Sequence, residues 1–359
     1  MMPSRLKKYV TKEWLKRRLI LIAISITVAL IVSNATEAPS RDAISSVFVK
    51  ETRGDAIIIT IDERGIPLSD YGSAYGADIG VQRNPVTVAQ VALEYYEEGA
   101  SGDGSALQPF LNCVDWLVGN STVIGNCSFL EYGYPWPACN MTAPWRSGMA
   151  QGLFLQVLAR AQALTNDSAY ANASQLALNS FYIGNGDGGF TYKSADGWWY
   201  EEYADDGGTQ PRVLNGMMAT LIGLHDFYNL TGSAEAKAFF DLGVRALDAG
   251  LPSYDNGRYS IYNIQGSVSS EGYHELHIAQ LRELFAITGE PIFLHYADLW
   301  DGYEPPARDI FVIRFAKDPT RMGVAIIFLN ACAALIAIEI ALLAMRWKGA
   351  SRKENDKNS

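Results

Sequence analysis

Residues 212–250 read RVLNGMMATLIGLHDFYNLTGSAEAKAFFDLGVRALDAG, two runs of helical periodicity joined through Thr231-Gly232-Ser233. The same pattern recurs on both sides of this pair. Asn84-Pro85 is a cap followed by proline at the first turn, after which Val88, Val91, Ala92 and Tyr95 fall on one face. Further helices are predicted near 106–118, 144–164 and 168–182 upstream, and near 273–289 and 290–301 downstream. The eight helices form four consecutive pairs, each with a short internal connection. Longer stretches rich in Gly and aromatic residues lie mostly between pairs. Such hairpins can stack and close into a ring whose long loops rim a central cleft, and the fold expected for residues 85–303 is this α/α toroid. An open α-solenoid is the alternative, but the sequence shows no fixed repeat.

Outside this body the chain changes character. In residues 37–84 a small β-hairpin is expected, pairing Val47-Phe48-Val49 with Ala56-Ile57-Ile58-Ile59-Thr60-Ile61 around Arg53-Gly54-Asp55, followed by a loop. Leu19 to Thr36 is an uncharged apolar run of 18 residues, and Met322 to Met345 is one of 24 interrupted only by Glu339 and Asn330. Both read as transmembrane helices. The first is read as a signal anchor (19–36) rather than a cleaved leader, although Ser33-Asn34-Ala35 resembles a cleavage site. Glu339 lies two helical turns before Arg346 and is expected to lean toward the headgroups and a cation. Basic tails, 1–18 and 346–359, flank the two spans, and 304–321 is a juxtamembrane linker. The positive ends place both termini in the cytoplasm and the domain between the spans outside.

The net charge of −10 conceals an asymmetry, since the portion between the tails, Glu339 set aside, holds 17 basic and 35 acidic residues. A body that acidic excludes nucleic acid as an expected partner. Seven N-x-S/T sequons, at Asn34, Asn120, Asn126, Asn140, Asn166, Asn172 and Asn229, fit a glycosylated exterior. Cys113, Cys127 and Cys139 would lie outside, where one disulfide among them is expected, with three pairings open.

Candidate chemistry concentrates in two loops. One runs from Gly197 through Trp198-Trp199-Tyr200-Glu201-Glu202-Tyr203 and Asp205-Asp206 to Arg212 and Asn215. The other runs from Leu251 through Arg258 and Tyr262 to Tyr273-His274-Glu275-Leu276-His277. With no H-E-x-x-H and four His in all, a metal site is not expected, and neither is a cofactor. No G-x-S-x-G elbow or phosphate-cradling loop is present. Glu201, Glu202, Asp205 and Asp206 could supply paired carboxylates for glycoside hydrolysis, but adjacent loop acids are more often a solvated run.

Several blocks occur in an order that resembles the C-terminal domain of D-glucuronyl C5-epimerases. They are Gly65-Ile66-Pro67-Leu68 with the Gln90 helix, Met141-Thr142-Ala143-Pro144-Trp145-Arg146-Ser147-Gly148-Met149-Ala150-Gln151-Gly152, Tyr200-Glu201-Glu202-Tyr203, and Val213-Leu214-Asn215-Gly216 with Leu221-Ile222-Gly223-Leu224. After these come Leu251-Pro252-Ser253-Tyr254-Asp255, Ile261-Tyr262-Asn263, Tyr273-His274 with His277-Ile278 and Gln280-Leu281, and Pro291-Ile292-Phe293. The resemblance implies a helical toroid whose cleft inverts carbon 5 of glucuronate within a polysaccharide, giving iduronate. It places the essential tyrosines on Tyr203, Tyr262 and Tyr273, their acidic partner on Glu202, and a sugar contact on Asn215. Trp145, His277 and Gln90 fall in the matching blocks and join the expected substrate-binding residues. Where the family tends to carry a basic residue three positions after the second tyrosine, this chain has Gln265, so Arg212 or Arg258 is expected to substitute, and Arg146, Arg212 and Arg258 are the candidate cations for the uronate carboxylate. The large β-sandwich preceding the toroid in animal members has no counterpart in residues 37–64.

Phenol and carboxyl groups suit that reaction. The proton on carbon 5 lies alpha to a carboxylate, so removing it builds further negative charge and needs donors where that charge develops. One group takes the proton on one face and another returns one on the opposite face. Glu202 or a deprotonated Tyr203 is expected on one side and Tyr273 on the other, with Tyr262 orienting the carboxylate. A polysaccharide lyase would start from the same proton, and a non-catalytic glycan-binding envelope protein is the reading from another class. Expected partners are a uronate-containing glycan, membrane lipid along both spans, and a second copy of the chain if a homodimer forms.

Overall fold

The computed structural model describes residues 12–48, 57–74, 77–208, 210–303, 311–317 and 321–355. The chain divides into two compact units, Asp55–Glu304 and the two ends Met1–Gly54 with Pro305–Ser359.

The terminal unit contains α1 (Lys12–Phe48), and its other two helices, Phe311–Lys317 and Arg321–Asn355, close the chain. The larger unit begins with β1 (Ile58–Ile61), β2 (Pro67–Asp70), β3 (Ser73–Ala74), β4 (Ala77–Asp78) and β5 (Val81–Gln82). The predicted hairpin is displaced by one element. Val47 and Phe48 belong to α1, residues 49–56 lie outside the described residues, and β1 pairs antiparallel with β2 in the register Ile58↔Asp70 to Ile61↔Pro67. The turn is set by Asp62, whose Oδ1 accepts from the Arg64 and Ile66 backbone N–H groups, each at 2.9 Å. β2 then pairs with β5, completing a three-stranded sheet.

The helices follow as four hairpins: α2 (Pro85–Ala100) with α3 (Leu107–Gly119), α4 (Gly148–Thr165) with α5 (Ser168–Asn179), α6 (Leu214–Thr231) with α7 (Ala234–Gly250), and α8 (Glu271–Thr288) with α9 (Pro291–Asp301). The first member of each pair is an inner helix. α2 packs on α4, α4 on α6 and α6 on α8, while α3, α5, α7 and α9 lie outside their partners. This is the succession expected of an α/α toroid. α4 and α6 approach so closely that a Cβ at Gly223 would sit 2.7 Å from the backbone of Gly152. Small antiparallel sheets fill the long connections: β6 (Ser121–Ile124) with β7 (Cys127–Tyr132), joined by β8 (Trp145–Arg146), and then β9 (Thr191–Ser194) with β10 (Gly197–Tyr200). The core runs through the inner helices and these sheets, with Phe110, Phe154, Phe181, Phe190, Tyr200 and Trp300 fully buried.

The expected disulfide is not formed, and Cys113, Cys127 and Cys139 are free thiols. Cys113 Sγ faces the Gly65 carbonyl at 3.6 Å and Cys127 Sγ faces Asn126 Oδ1, so the two are committed to separate packing sites. Asn120, Asn126, Asn140, Asn166, Asn172 and Asn229 are all exposed.

In the terminal unit α1 packs along α10 (Phe311–Lys317) and α11 (Arg321–Asn355). Among the described residues one stretch, Gly323–Met345, is long and apolar enough to cross a membrane, with mean hydropathy 2.5. Glu339 pairs with Arg18 of α1 rather than leaning toward Arg346.

Candidate active site

The first turns of the inner helices border one cluster of side chains, and the caps of two of them, Asn84 of α2 and Ser147 of α4, line its pocket. Asn84 caps α2, its Oδ1 accepting from Val86 N at 2.9 Å, and Ser147 caps α4, its Oγ accepting from Ala150 N at 3.2 Å. Ser270 caps α8 through the Tyr273 backbone N–H. α6 has no side-chain cap, and its first turn instead receives the Glu202 carboxyl group. A pocket among these ends is lined by Tyr71, Asn84, Tyr132, Tyr134, Trp136, Trp145, Ser147, Glu202 and Tyr203, with Val86. The positive ends of the helix dipoles make this a favourable place for negative charge.

Glu202 reaches the pocket because β10 ends at Tyr200, which is anchored by its hydroxyl on the Phe239 carbonyl at 2.7 Å. The next backbone carbonyl, that of Glu201, accepts from Gly148 N at 2.7 Å and ties the loop to the start of α4. Glu202 then lies against α6, where a Cβ on Gly216 would stand 2.2 Å from its Oε2. Asn215 Nδ2 donates to the same Oε2 at 3.4 Å, and the Tyr203 phenol lies beside the carboxyl group. Burial pushes Glu202 up to about 7 even though Tyr203 and Asn215 favour its ionised form. In Gly216→Ala the new methyl displaces Glu202, and a shift of about 1 Å should lower kcat roughly 100-fold. Turnover measured beside the thermal midpoint would separate that displacement from loss of fold.

The tyrosines assemble around this carboxyl group. The Tyr203 ring packs 5.4 Å from that of Trp145, which in turn stacks on Tyr132 at 3.7 Å. The Tyr262 phenol lies beside that of Tyr203. The Tyr262 ring meets Tyr273 at 4.8 Å, inclined by 62°. Backbone stitching fixes Tyr262, whose carbonyl accepts from Leu214 N at 2.9 Å and whose N–H donates to Ser267 O at 2.6 Å. Tyr273 stands on the first turn of α8 and is 41% exposed. Burial, then the nearby Glu202 charge, raises the phenols of both Tyr203 and Tyr262 well above their usual value. A deprotonated Tyr203 is therefore the wrong resting state for this site.

The other expected binding residues are placed differently. Arg212 adopts φ 47°, donates its N–H to Glu201 Oε2 at 2.9 Å, and lays its guanidinium 4.1 Å over the Tyr192 ring. Arg258 is exposed in a turn closed by Asn256 Oδ1. Arg146 pairs with Glu131. Gln90 is exposed on the second turn of α2. His277 is fully buried, with Nδ1 3.1 Å from Ser260 Oγ, and burial pushes it down to about 3. It is a neutral core histidine, as is its neighbour His274, stacked on Tyr259 at 3.7 Å. Trp145 and Asn215 both reach the Glu202 cluster, whereas none of these arginines is recorded in contact with it. Sequence reasoning missed Tyr71, Tyr132, Tyr134, Trp136 and Ser147, and took Asn84 only as a cap. The available signal was position, since all precede the first turn of an inner helix. Among the described residues no group of three or more His, Cys, Asp or Glu side chains is arranged to hold a metal ion.

Beneath the pocket Glu201 is fully buried, and its carboxyl group is pushed up to about 8, chiefly by burial. Folding raises this pKa above its ordinary 4.5, so the stability it contributes is full below about 4.5 and is lost as pH rises through about 8. Glu201→Gln should leave stability near pH 5 unchanged and gain on the order of 1–3 kcal/mol over the parent at pH 9, read as thermal midpoints across that range.

With this geometry established, similarity to known proteins is informative. Residues 128–302 match the model of the family described as D-glucuronyl C5-epimerase C-terminus. This segment belongs to that family. The epimerase-family segment contains Glu202, Tyr203, Asn215, Tyr262 and Tyr273, while Asn84 and Tyr71 lie before it. An uncharacterized protein of Methanocaldococcus jannaschii is 29% identical over 260 residues, covering 67% of this chain and 84% of that protein. The D-glucuronyl C5-epimerase of Caenorhabditis elegans is 32% identical over 214 residues, 54% of this chain. The aligned part spans only 34% of the worm enzyme. Among solved structures, a GH76 alpha-mannanase of Bacteroides thetaiotaomicron superposes with TM-score 0.46 at 10% identity, covering 89% of this chain and 86% of that one.

Proposed function

We propose that this chain is a membrane-anchored epimerase that inverts carbon 5 of D-glucuronate to L-iduronate within a glycan or polysaccharide. The observation that carries the reading is the buried Glu202 beside Tyr203, next to the Tyr262–Tyr273 ring pair, at the starts of inner helices and within a segment that matches the epimerase family.

Tyr203 touches the sugar and Glu202 supplies the basicity. As the phenol oxygen takes the proton from carbon 5, its own proton passes to the carboxylate, so no free phenolate has to form in a site that disfavours one. The electron pair left behind spreads into the uronate carboxylate. Among the described residues no arginine contacts the Glu202 cluster, and the nearby helix N-termini with Asn215 take the developing charge. Tyr273 returns a proton on the opposite face, and Tyr262 orients the ring between the two. Because Glu202 must be ionised to act, kcat/KM should fall about tenfold per pH unit below about 7. A profile flat from pH 5 to 8 contradicts the assignment.

The helices Lys12–Phe48 and Arg321–Asn355 serve as anchors, with both termini cytoplasmic and the catalytic domain outside. The exposure of six sequon asparagines supports that placement and a glycosylated surface. Product analysis separates this chemistry from a lyase sharing the first step. Iduronate by NMR with no gain in ultraviolet absorbance supports the epimerase, and an absorbing unsaturated uronate overturns it.

A further inference from the structure

The two terminal helices carry an interface that the catalytic reading does not use. Along α1, Ser25, Ala29 and Ser33 recur every four residues and are 2%, 0% and 0% exposed, in a stretch where Leu19, Ile22, Ile26 and Ile31 are exposed. α11 covers that stripe. Near one end of it lies Asn330, the single amide within the apolar run of α11. Its Nδ2 donates to Thr36 Oγ1 at 2.9 Å and to Ser33 Oγ at 3.1 Å, and Ser40 Oγ donates to its Oδ1 at 3.5 Å. Toward the other end Arg18 pairs with Glu339. As α1 runs from Arg18 to Ser40, its partners run back from Glu339 to Asn330, so the helices are antiparallel.

An amide and a carboxylate facing hydrocarbon would each be costly, and Asn330 and Glu339 both find partners on the opposite helix. Small residues allow the backbones to approach, which is how helices associate where lipid removes the hydrophobic drive between them. The clasp also straddles Ser33-Asn34-Ala35. Removing α1 up to Ala35 would strip Ser33 from Asn330 and Arg18 from Glu339, breaking one bond of the clasp and leaving the Glu339 carboxylate in lipid without its partner.

We infer that α1 is a permanent partner of α11 rather than a removable leader, and that the two form an antiparallel membrane hairpin locked by the Asn330 clasp and the Arg18–Glu339 pair. The inference rests on the membrane reading above and is independent of the sugar chemistry. The test uses the full chain with an N-terminal tag and a protease site placed between residues 305 and 310. Resistance of the membrane fraction to carbonate extraction checks the anchoring itself. After cleavage in detergent, the fragment carrying α11 should remain with the tagged remainder, and the intact mass should include residues 1–36. Asn330→Leu, which keeps volume and favours insertion, should reduce the retained fraction about threefold for each hydrogen bond lost. Ser33→Ile, which adds bulk within the stripe, should do the same by keeping the helices apart. A carbonate-resistant chain that begins after Ser33, or whose α11 fragment separates in the parent protein as readily as in both variants, overturns the inference.

Discussion

Glu202→Gln should abolish carbon-5 inversion almost completely while the protein stays folded, lowering kcat roughly 10²–10⁴-fold with little change in KM. The amide keeps the volume that fits against Gly216, so the wall of the pocket is preserved. It cannot accept the proton that Tyr203 must pass on. Because the parent carboxyl group is buried with its pKa raised to about 7, a neutral replacement should match or slightly exceed parental stability at pH 8. Thermal midpoints beside turnover numbers would check both halves. Loss of activity with loss of fold would leave only a structural role for Glu202.

Tyr273→Phe should match that loss by a different route. The ring that packs 4.8 Å from Tyr262 is kept, and only the hydroxyl is removed from a side chain that is 41% exposed. Stability should therefore move by no more than about 0.5 kcal/mol, while net inversion falls roughly 10²–10⁴-fold. The two variants should also differ in heavy water. Tyr273→Phe retains Glu202 and Tyr203, so it should exchange the carbon-5 hydrogen of glucuronate with retention, whereas Glu202→Gln should not. Wild-type inversion by Tyr273→Phe would remove the phenol from the mechanism.

The helical body was legible because its signals are local. A proline behind a capping asparagine at Asn84-Pro85 and continuous apolar faces locate all eight helices within a few residues. The hairpin was misplaced because β-pairing is not local. Ile58–Ile61 has two apolar neighbours in sequence, and the Asp62 turn, which selects Pro67–Asp70, leaves only a weak mark. The site shows the same division. Glu202, Tyr203 and Asn215 lie within 14 residues around one helix start, and the family's pattern names them together. Tyr71, Asn84, Tyr132 and Ser147 reach the pocket only because α2 and α4 pack side by side. The arginines are engaged by other groups for a physical reason. A guanidinium near an acidic loop reads as a carboxylate clamp, yet Arg146 is taken by Glu131, and Arg212 is held by Glu201 through its backbone and by Tyr192 through its side chain. His277 is a polar motif residue that the fold buries completely.

Among the described residues no arginine contacts the Glu202 cluster, and this gives the proposed reading its most specific physical content. In that proposal, charge built on the uronate during proton removal falls to helix dipoles and neutral donors, which requires the inner-helix starts to keep their places. The displacement expected for Gly216→Ala would disturb that arrangement at α6.

The most direct test is to incubate the full-length chain with glucuronate-containing polysaccharides in heavy water and to follow carbon 5 by NMR. The account predicts deuterium at that carbon, iduronate accumulating with the polymer chain intact, and neither event in Glu202→Gln. Failure of deuterium to enter any uronate polymer, or its entry only as the chain is cleaved to unsaturated sugars, would contradict it.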